Sequence, residues 1–184
     1  MDHRMQPDTG HHVLVTYASK YGSTGAIAEA IGRSLREEGL TVDVERCKDV
    51  KDLAPYTAVV MGSAVYVGRW RREAADLLRQ GEAQLARVPV WLFSSGPTGE
   101  GEAGELLKGW RFPSALQSVA DRIGPRDIAV FHGALDRSRL NPFDAFIVRN
   151  VKAPLGDFRD LDAVAAWARS IGAELQQEPM LAGV

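Results

Sequence analysis

Cysteine is almost missing from this chain: Cys47 stands alone in 184 residues. One thiol cannot build a disulfide framework, so a reducing compartment, the cytoplasm, is expected. Long apolar runs are missing too. Nothing approaches the ~18 consecutive apolar residues that a spanning helix needs. Neither sign of charge is in excess. With 22 Lys and Arg against 24 Asp and Glu, the net charge is -2, and the basic footprint of a nucleic-acid-binding protein is excluded. The opening MDHRMQPDTGHH has no apolar core of a secretory signal. It reads as a mobile extension over residues 1–11, with one domain over 12–178. Histidines in such a tail ordinarily bind nothing, so no metal is assigned to His11 and His12.

What is present suits one soluble domain, with 45% hydrophobic and 25% charged residues. Residues 13–17 (VLVTY), 57–63 (TAVVMGS) and 88–95 (VPVWLFSS) are continuous apolar runs bounded by turn residues, the pattern of buried strands. Residues 41–47 alternate through Val42 and Val44, as an edge strand would, and 127–134 (DIAVFHGA) form a fifth strand. Between them lie helical repeats at 24–38 (Ile27, Ile31, Leu35, with Gly39 as terminator), 70–80 and 114–123. A last helix over 160–175 is capped by Asp160 and carries Leu161, Val164, Trp167, Ala168 and Ile171 as its apolar stripe. Five strand–helix alternations call for a parallel sheet covered on both faces, in strand order 2-1-3-4-5. Residues 96–113 and 135–159 exceed ordinary loop length and are marked as functional segments.

In such a sheet ligands bind at the carboxyl ends of the strands, here the loops after strands one, three and four. Several chemistries are missing there. No Gly-Lys-Ser/Thr of a Walker loop occurs, no G-x-G-x-x-G follows strand one, and the three strand ends carry no Asp or Glu for a phospho-acceptor. The first loop instead holds Ser19, Lys20, Tyr21, Gly22, Ser23 and Thr24 ahead of a helix. A helix N-terminus with added hydroxyl donors and a glycine suits a phosphate; an ordinary polar turn is the plainer alternative. The third-strand loop (Ala64, Val65, Tyr66, Val67, Gly68, Trp70) and the fourth-strand loop (Ser94, Ser95, Gly96, Pro97, Thr98) are small and uncharged at their tips. A flat ring could lie on their backbone. Tyr66 and Trp70 are candidates to stack on it, with packing as the other reading.

These motifs resemble the flavodoxin-like FMN-binding family. The likeness runs from about Val13 to Leu175. It is strongest to the flavodoxin-domain branch that includes menaquinone-dependent protoporphyrinogen dehydrogenase. YASKYGST stands at the FMN phosphate loop, GSAVYVGRW and SSGPTG at the two isoalloxazine loops, and FHGALD, PFDAFIVRNV and GDFRDLDAVAAWA resemble that branch's C-terminal part. The resemblance implies an α/β flavodoxin-like three-layer sandwich. It also implies FMN held by the residues named above, and an oxidoreductase that passes electrons from a reduced, porphyrin-like substrate to a quinone. A flavodoxin-type carrier between redox proteins is the alternative. Two features depart from carrier flavodoxins: the chain is not strongly acidic, and SSGPTG offers no aromatic, leaving one ring face open. Arg69, Arg71, Arg72, Arg137, Arg139, Arg149, Lys152 and Arg159 suggest a basic mouth for an anionic partner. In 135–159, Phe143, Phe146, Ile147 and Val148 lie among basic residues, which suggests a quinone contact peripheral to a membrane; covering the sheet edge is the alternative. His132 is expected inside a strand, and no acid or base residue is assigned.

Overall fold

The apolar runs become parallel strands, and the 3.6-residue repeats become the helices between them. The computed structural model describes residues 10–150 and 152–178. β1 (His12–Ala18) leads into α1 (Ser23–Glu37), β2 (Thr41–Arg46), β3 (Ala58–Tyr66) and the two-residue β4 (Arg69–Trp70). α2 (Arg72–Gln80) and α3 (Glu82–Leu85) precede β5 (Val90–Ser95). α4 (Ala103–Leu106), a 3₁₀ turn (Ser114–Leu116) and α5 (Gln117–Ile123) precede β6 (Asp127–Phe131). Then come β7 (Ala134–Leu135), a second 3₁₀ turn (Arg137–Arg139), α6 (Pro142–Asn150), β8 (Gly156–Asp157) and α7 (Leu161–Gln177).

The parallel sheet runs β2-β1-β3-β5-β6, the order expected for five parallel strands. β1, β3 and β5 are central. Helices cover both their faces, and Val13–Val15, Ala58–Met61 and Val90–Phe93 are therefore all buried. Successive side chains point to opposite faces. Leu14, Met61 and Leu92 meet α2 and α5 on one side; Val13, Val15, Val60, Trp91 and Phe93 meet α1 and α7 on the other. In α1, Ile27, Ile31 and Leu35 are fully buried, and Gly39 closes the helix at φ 86°. In α7, Asp160 accepts the Ala163 N–H at 2.9 Å, and Val164, Ala168, Ile171 and Leu175 face the sheet. Trp167 is half-buried. It edges onto Phe131 at 5.4 Å between centroids and donates its indole N–H to Asp127 Oδ2 at 2.8 Å. Leu161, placed in the stripe by its spacing, is exposed in the first turn.

Three expectations need correcting. β3 runs on to Tyr66, so Ala64, Val65 and Tyr66 are strand residues. They pair back through β4 (Val65 with Trp70, Tyr66 with Arg69) in a hairpin whose two turn residues, Val67 and Gly68, both have positive φ, 49° and 69°. Two left-handed residues match the right-handed twist of a hairpin. The fifth parallel strand stops at Phe131; beyond it the chain stays against the backbone of 96–97, where the Gly133 N–H donates to the Pro97 carbonyl at 2.9 Å and a Cβ on Gly133 would stand 3.3 Å from the Gly96 Cα. Residues 1–9 of the expected extension lie outside the described residues, but His11, assigned to it, is buried. Its ring faces Thr57 Oγ1 at 3.2 Å and the Glu178 carbonyl at 3.3 Å. Both long segments carry structure of their own: α4 within 96–113, and α6 with the antiparallel β7–β8 pair within 135–159.

Candidate functional site

The carboxyl ends of β1, β3 and β5 bring the three expected segments together. The first is 19–24. Ser19 Oγ accepts the Gly22 N–H at 2.9 Å, and Gly22 turns the chain into α1 at φ 88°. A Cβ on Gly22 would meet no atom within 4 Å, so the space above it is open. The start of α1 carries no side-chain cap and no acidic residue in its first turn. A helix start of this kind presents free N–H groups and uncompensated positive potential. Ser23 Oγ accepts the Ala134 N–H at 3.0 Å, and Thr24 Oγ1 lies 3.4 Å from Ser95 Oγ. Ser19 and Ser23 each accept a bond and keep a hydroxyl proton to donate.

Thr24 and Ser95 join the first segment to the third, and Gly96 joins the third to the second: a Cβ on Gly96 would lie 3.3 Å from Val65 Cβ. Lys20 Nζ sits 5.9 Å from the Tyr66 ring centroid, which joins the first segment to the second. Pro97 is buried; its carbonyl accepts the Gly133 N–H at 2.9 Å and faces His132 Nδ1 at 3.3 Å. Thr98 is half-buried one residue further on. His132 lies just past β6, with Nε2 2.7 Å from the Gly101 carbonyl, so its ring ties down the loop after β5.

Two expected contact residues are placed elsewhere. Trp70 is 6% exposed; its indole donates to Ser94 Oγ at 2.9 Å, and its ring meets Phe112 edge-on at 5.0 Å. Ser94 is itself buried and also donates to the Arg111 carbonyl at 3.1 Å. Both are core groups beneath the site, with no ring face for stacking. Tyr66 remains half-buried at the mouth. Burial, with the charges of Tyr21 and Asp144 adding to it and Arg71 opposing, pushes its phenol up to about 12. Val67 is 82% exposed at the hairpin tip, beside Gly68.

Asp144 is not among the expected site residues, and nothing in the local pattern sets it apart from Asp136 and Asp157. Lys20 Nζ and Tyr21 Oη both donate to Asp144 Oδ2 from the other end of the chain, and Asp144 is 7% exposed. Burial works against its charge, but the bonds from Lys20 and Tyr21 prevail and hold its carboxyl below the ordinary value. The bond to Asp144 in turn raises the Lys20 ammonium above its usual range. Asn141 and Arg139 also reach Tyr21, through the Asn141 N–H to Tyr21 Oη and Arg139 Nη1 to the Tyr21 carbonyl, each at 3.4 Å. Outside this contact, a cleft of about 480 Å³ is lined by Arg137, Leu140, Phe146, Arg149, Lys152 and Leu155. Cys47 is remote in role: burial pushes its thiol up to about 12, which removes it as a nucleophile at neutral pH.

The donor set of 19–24 fits the phosphate of FMN, and the uncharged ends of β3 and β5 fit a flat ring. The flavodoxin-domain family matches residues 14–162. Among curated relatives, an NAD(P)H dehydrogenase (quinone) of Nitrobacter winogradskyi is 33% identical over 48% of this chain and 58% of its own. One of Bradyrhizobium sp. strain BTAi1 is 31% identical over 41% and 49%. The chain thus spans about half the length of the curated relatives it matches. Among solved structures, an archaeal flavodoxin superposes with a TM-score of 0.62 at 16% identity, covering 90% of this chain and 99% of its own. The rubredoxin:oxygen oxidoreductase of Desulfovibrio gigas gives 0.60 at 18% identity, covering 94% and 37%. These two share the fold. By the match over 14–162 and the three converging segments, the chain belongs to the flavodoxin-domain family, which implies FMN as its cofactor.

Proposed function

We propose that this chain is an FMN-dependent oxidoreductase that takes electrons from a reduced organic donor and delivers them to a quinone. FMN supplies the redox chemistry, accepting a hydride or single electrons at its ring. The residues of 19–24 hold its phosphate: the N–H groups at the start of α1 with the Ser19 and Ser23 hydroxyls. Tyr66, Val65, Gly96 and Pro97 border its ring, and no side chain of 94–98 is aromatic, so one face is left to a partner.

The observation that carries the reading is the segment seated on the phosphate loop. Its outer cleft joins an apolar floor (Leu140, Phe146, Leu155) to the cations Arg137, Arg149 and Lys152, none of which has an ion-pair partner among the described residues. Such a surface suits an apolar molecule bearing acid groups. The quinone partner is supported by the names of the curated relatives, which also suggest a nicotinamide donor. The resemblance to the protoporphyrinogen dehydrogenase branch suggests a porphyrin-like donor with carboxylates. The exposure of Phe143 and Phe146, 71% and 55%, supports a contact with a membrane, where quinones reside. No helix among the described residues is long and apolar enough to cross one.

The deciding experiment loads the protein with FMN and follows menadione reduction with NADH, NADPH or protoporphyrinogen as donor. Turnover with any one of them, lost without FMN, supports the enzyme and names the donor. Reduction of a redox protein in preference to the quinone supports the carrier alternative, which the flavodoxin neighbours favour.

A further inference from the structure

α6 does not dock as helices usually do. A helix on a protein surface normally buries an apolar stripe. In α6 the one buried residue is Asp144, and two of its aromatics, Phe143 and Phe146, stand out in solvent. Ala145, Ile147 and Val148 are only half-buried, and the side-chain bonds from α6 to the rest of the domain among the described residues are those of the Asp144 carboxylate with Lys20 and Tyr21. The carboxylate is aimed there by the helix start, where Asn141 Oδ1 accepts the Asp144 N–H at 2.8 Å. Tyr21 is the hub, since Asp144, Asn141 and Arg139 all bond to it. It is also the residue before Gly22, whose left-handed turn opens the phosphate site.

We propose that Asp144 is a positioning residue that couples the phosphate loop to α6, so that FMN binding and the docking of α6 strengthen each other. The inference rests on the FMN reading above. A loop already ordered by the Tyr21 contacts loses less conformational freedom when it closes on a phosphate. By reciprocity, a phosphate that orders the loop must favour the docked helix by the same factor. A direct repulsion between carboxylate and phosphate would act the other way. Asp144 is neutralised where it stands by the Lys20 ammonium, with the Arg71 guanidinium also acting on it, so ordering outweighs repulsion.

Limited trypsin digestion of the full chain reads the coupling, since Arg137, Arg139, Arg149 and Lys152 supply cleavage sites in and around α6. FMN affinity is measured in parallel by fluorescence titration. FMN is expected to slow cleavage in this segment roughly fivefold or more in the wild-type chain. Asp144→Asn should weaken FMN roughly tenfold and remove the protection, and Asp144→Glu should restore both. Tyr21→Phe keeps the ring and removes the two bonds of its hydroxyl, to Asp144 and from the Asn141 N–H, while Lys20 still holds the carboxylate, so it should give a weaker form of the same pair of effects if Asp144→Asn does not fold. A residue that only stabilised the fold would lower the melting temperature and leave FMN-linked protection intact. The coupling is overturned if wild-type protein binds FMN with no change in cleavage, or if a folded Asp144→Asn protein binds FMN as tightly as wild type. Failure of the wild-type chain to bind FMN at all would overturn the cofactor reading together with the coupling.

Discussion

Trp70 donates its indole N–H to Ser94 Oγ at 2.9 Å, which fastens the β3–β4 hairpin to the end of β5 beneath the candidate flavin site. The indole is therefore a foundation of the site. Ser94→Ala leaves a buried N–H without an acceptor, and the expected loss of stability is about 1–3 kcal/mol. Trp70→Ala opens a large cavity beside Phe112 and should lose about 3–5 kcal/mol. Urea denaturation of the two variants checks both values.

The candidate phosphate loop, 19–24, is held by bonds that can be removed one at a time. Ser19→Ala removes the acceptor for the Gly22 N–H and a hydroxyl donor together; Ser23→Ala removes the acceptor for the Ala134 N–H. The expected cost to FMN binding is about 1.5–3 kcal/mol for each hydroxyl that donates to the phosphate, roughly 10- to 150-fold in affinity. Fluorescence titration reads it directly, and unchanged affinity in the double variant would contradict the placement of the phosphate.

Gly62 makes room for the ring of Phe93, its paired neighbour on β5. A Cβ there would stand 2.2 Å from the Phe93 ring, a side chain that is itself fully buried. Gly62→Ala must displace that ring, and the expected destabilisation is about 1–3 kcal/mol or more by thermal or urea unfolding. Gly68→Ala, at a turn open to solvent with φ 69°, tests backbone strain in place of packing and should cost less.

The hold on α6 depends on two charges with opposite pH behaviour. Asp144 titrates below its ordinary 3.8 in the folded protein, so its contribution is present above that value and is lost as pH falls through the lower folded one. Lys20 titrates above its ordinary 10.5, so its contribution is present below that value and is lost as pH rises through the higher folded one. Hydrogen exchange in α6, corrected for its intrinsic pH dependence, should be flat from about pH 5 to 9 and rise below about 4. A rise centred near neutral pH would point to a histidine instead.

The central strands were legible because burial on both faces forces a continuous apolar run, and the strand order followed from which runs alternate. The hairpin at 64–70 was not legible. A two-residue turn of this type is announced by pairs such as Asn-Gly; here Val67 takes a positive φ that a β-branched residue disfavours, so the segment reads as a loop. Trp70 was ambiguous for a different reason. An aromatic at a strand end serves stacking and packing equally well, and the partner that decides, Ser94, is distant in the chain. The same holds for Asp144. The spacing of 135–159 marks the segment as functional, but which of its acids meets Lys20 is a long-range fact that no local pattern carries.

If Phe143 and Phe146 present a surface to an apolar partner, replacing both by Ser should leave FMN affinity and folding unchanged, since both are exposed. Reduction of a lipophilic quinone carried in vesicles should slow by about tenfold, while a water-soluble quinone is affected less. Equal rates with both acceptors would assign these side chains no part in the contact.

The most direct test of the central claim is anaerobic stopped-flow mixing of FMN-loaded, chemically reduced protein with a menaquinone analogue, followed by flavin absorbance. Stoichiometric FMN binding and a reoxidation rate that rises with quinone concentration, ahead of any redox-protein acceptor at equal concentration, is the expected result. A protein that binds FMN but whose reduced flavin is left untouched by the quinone would contradict it.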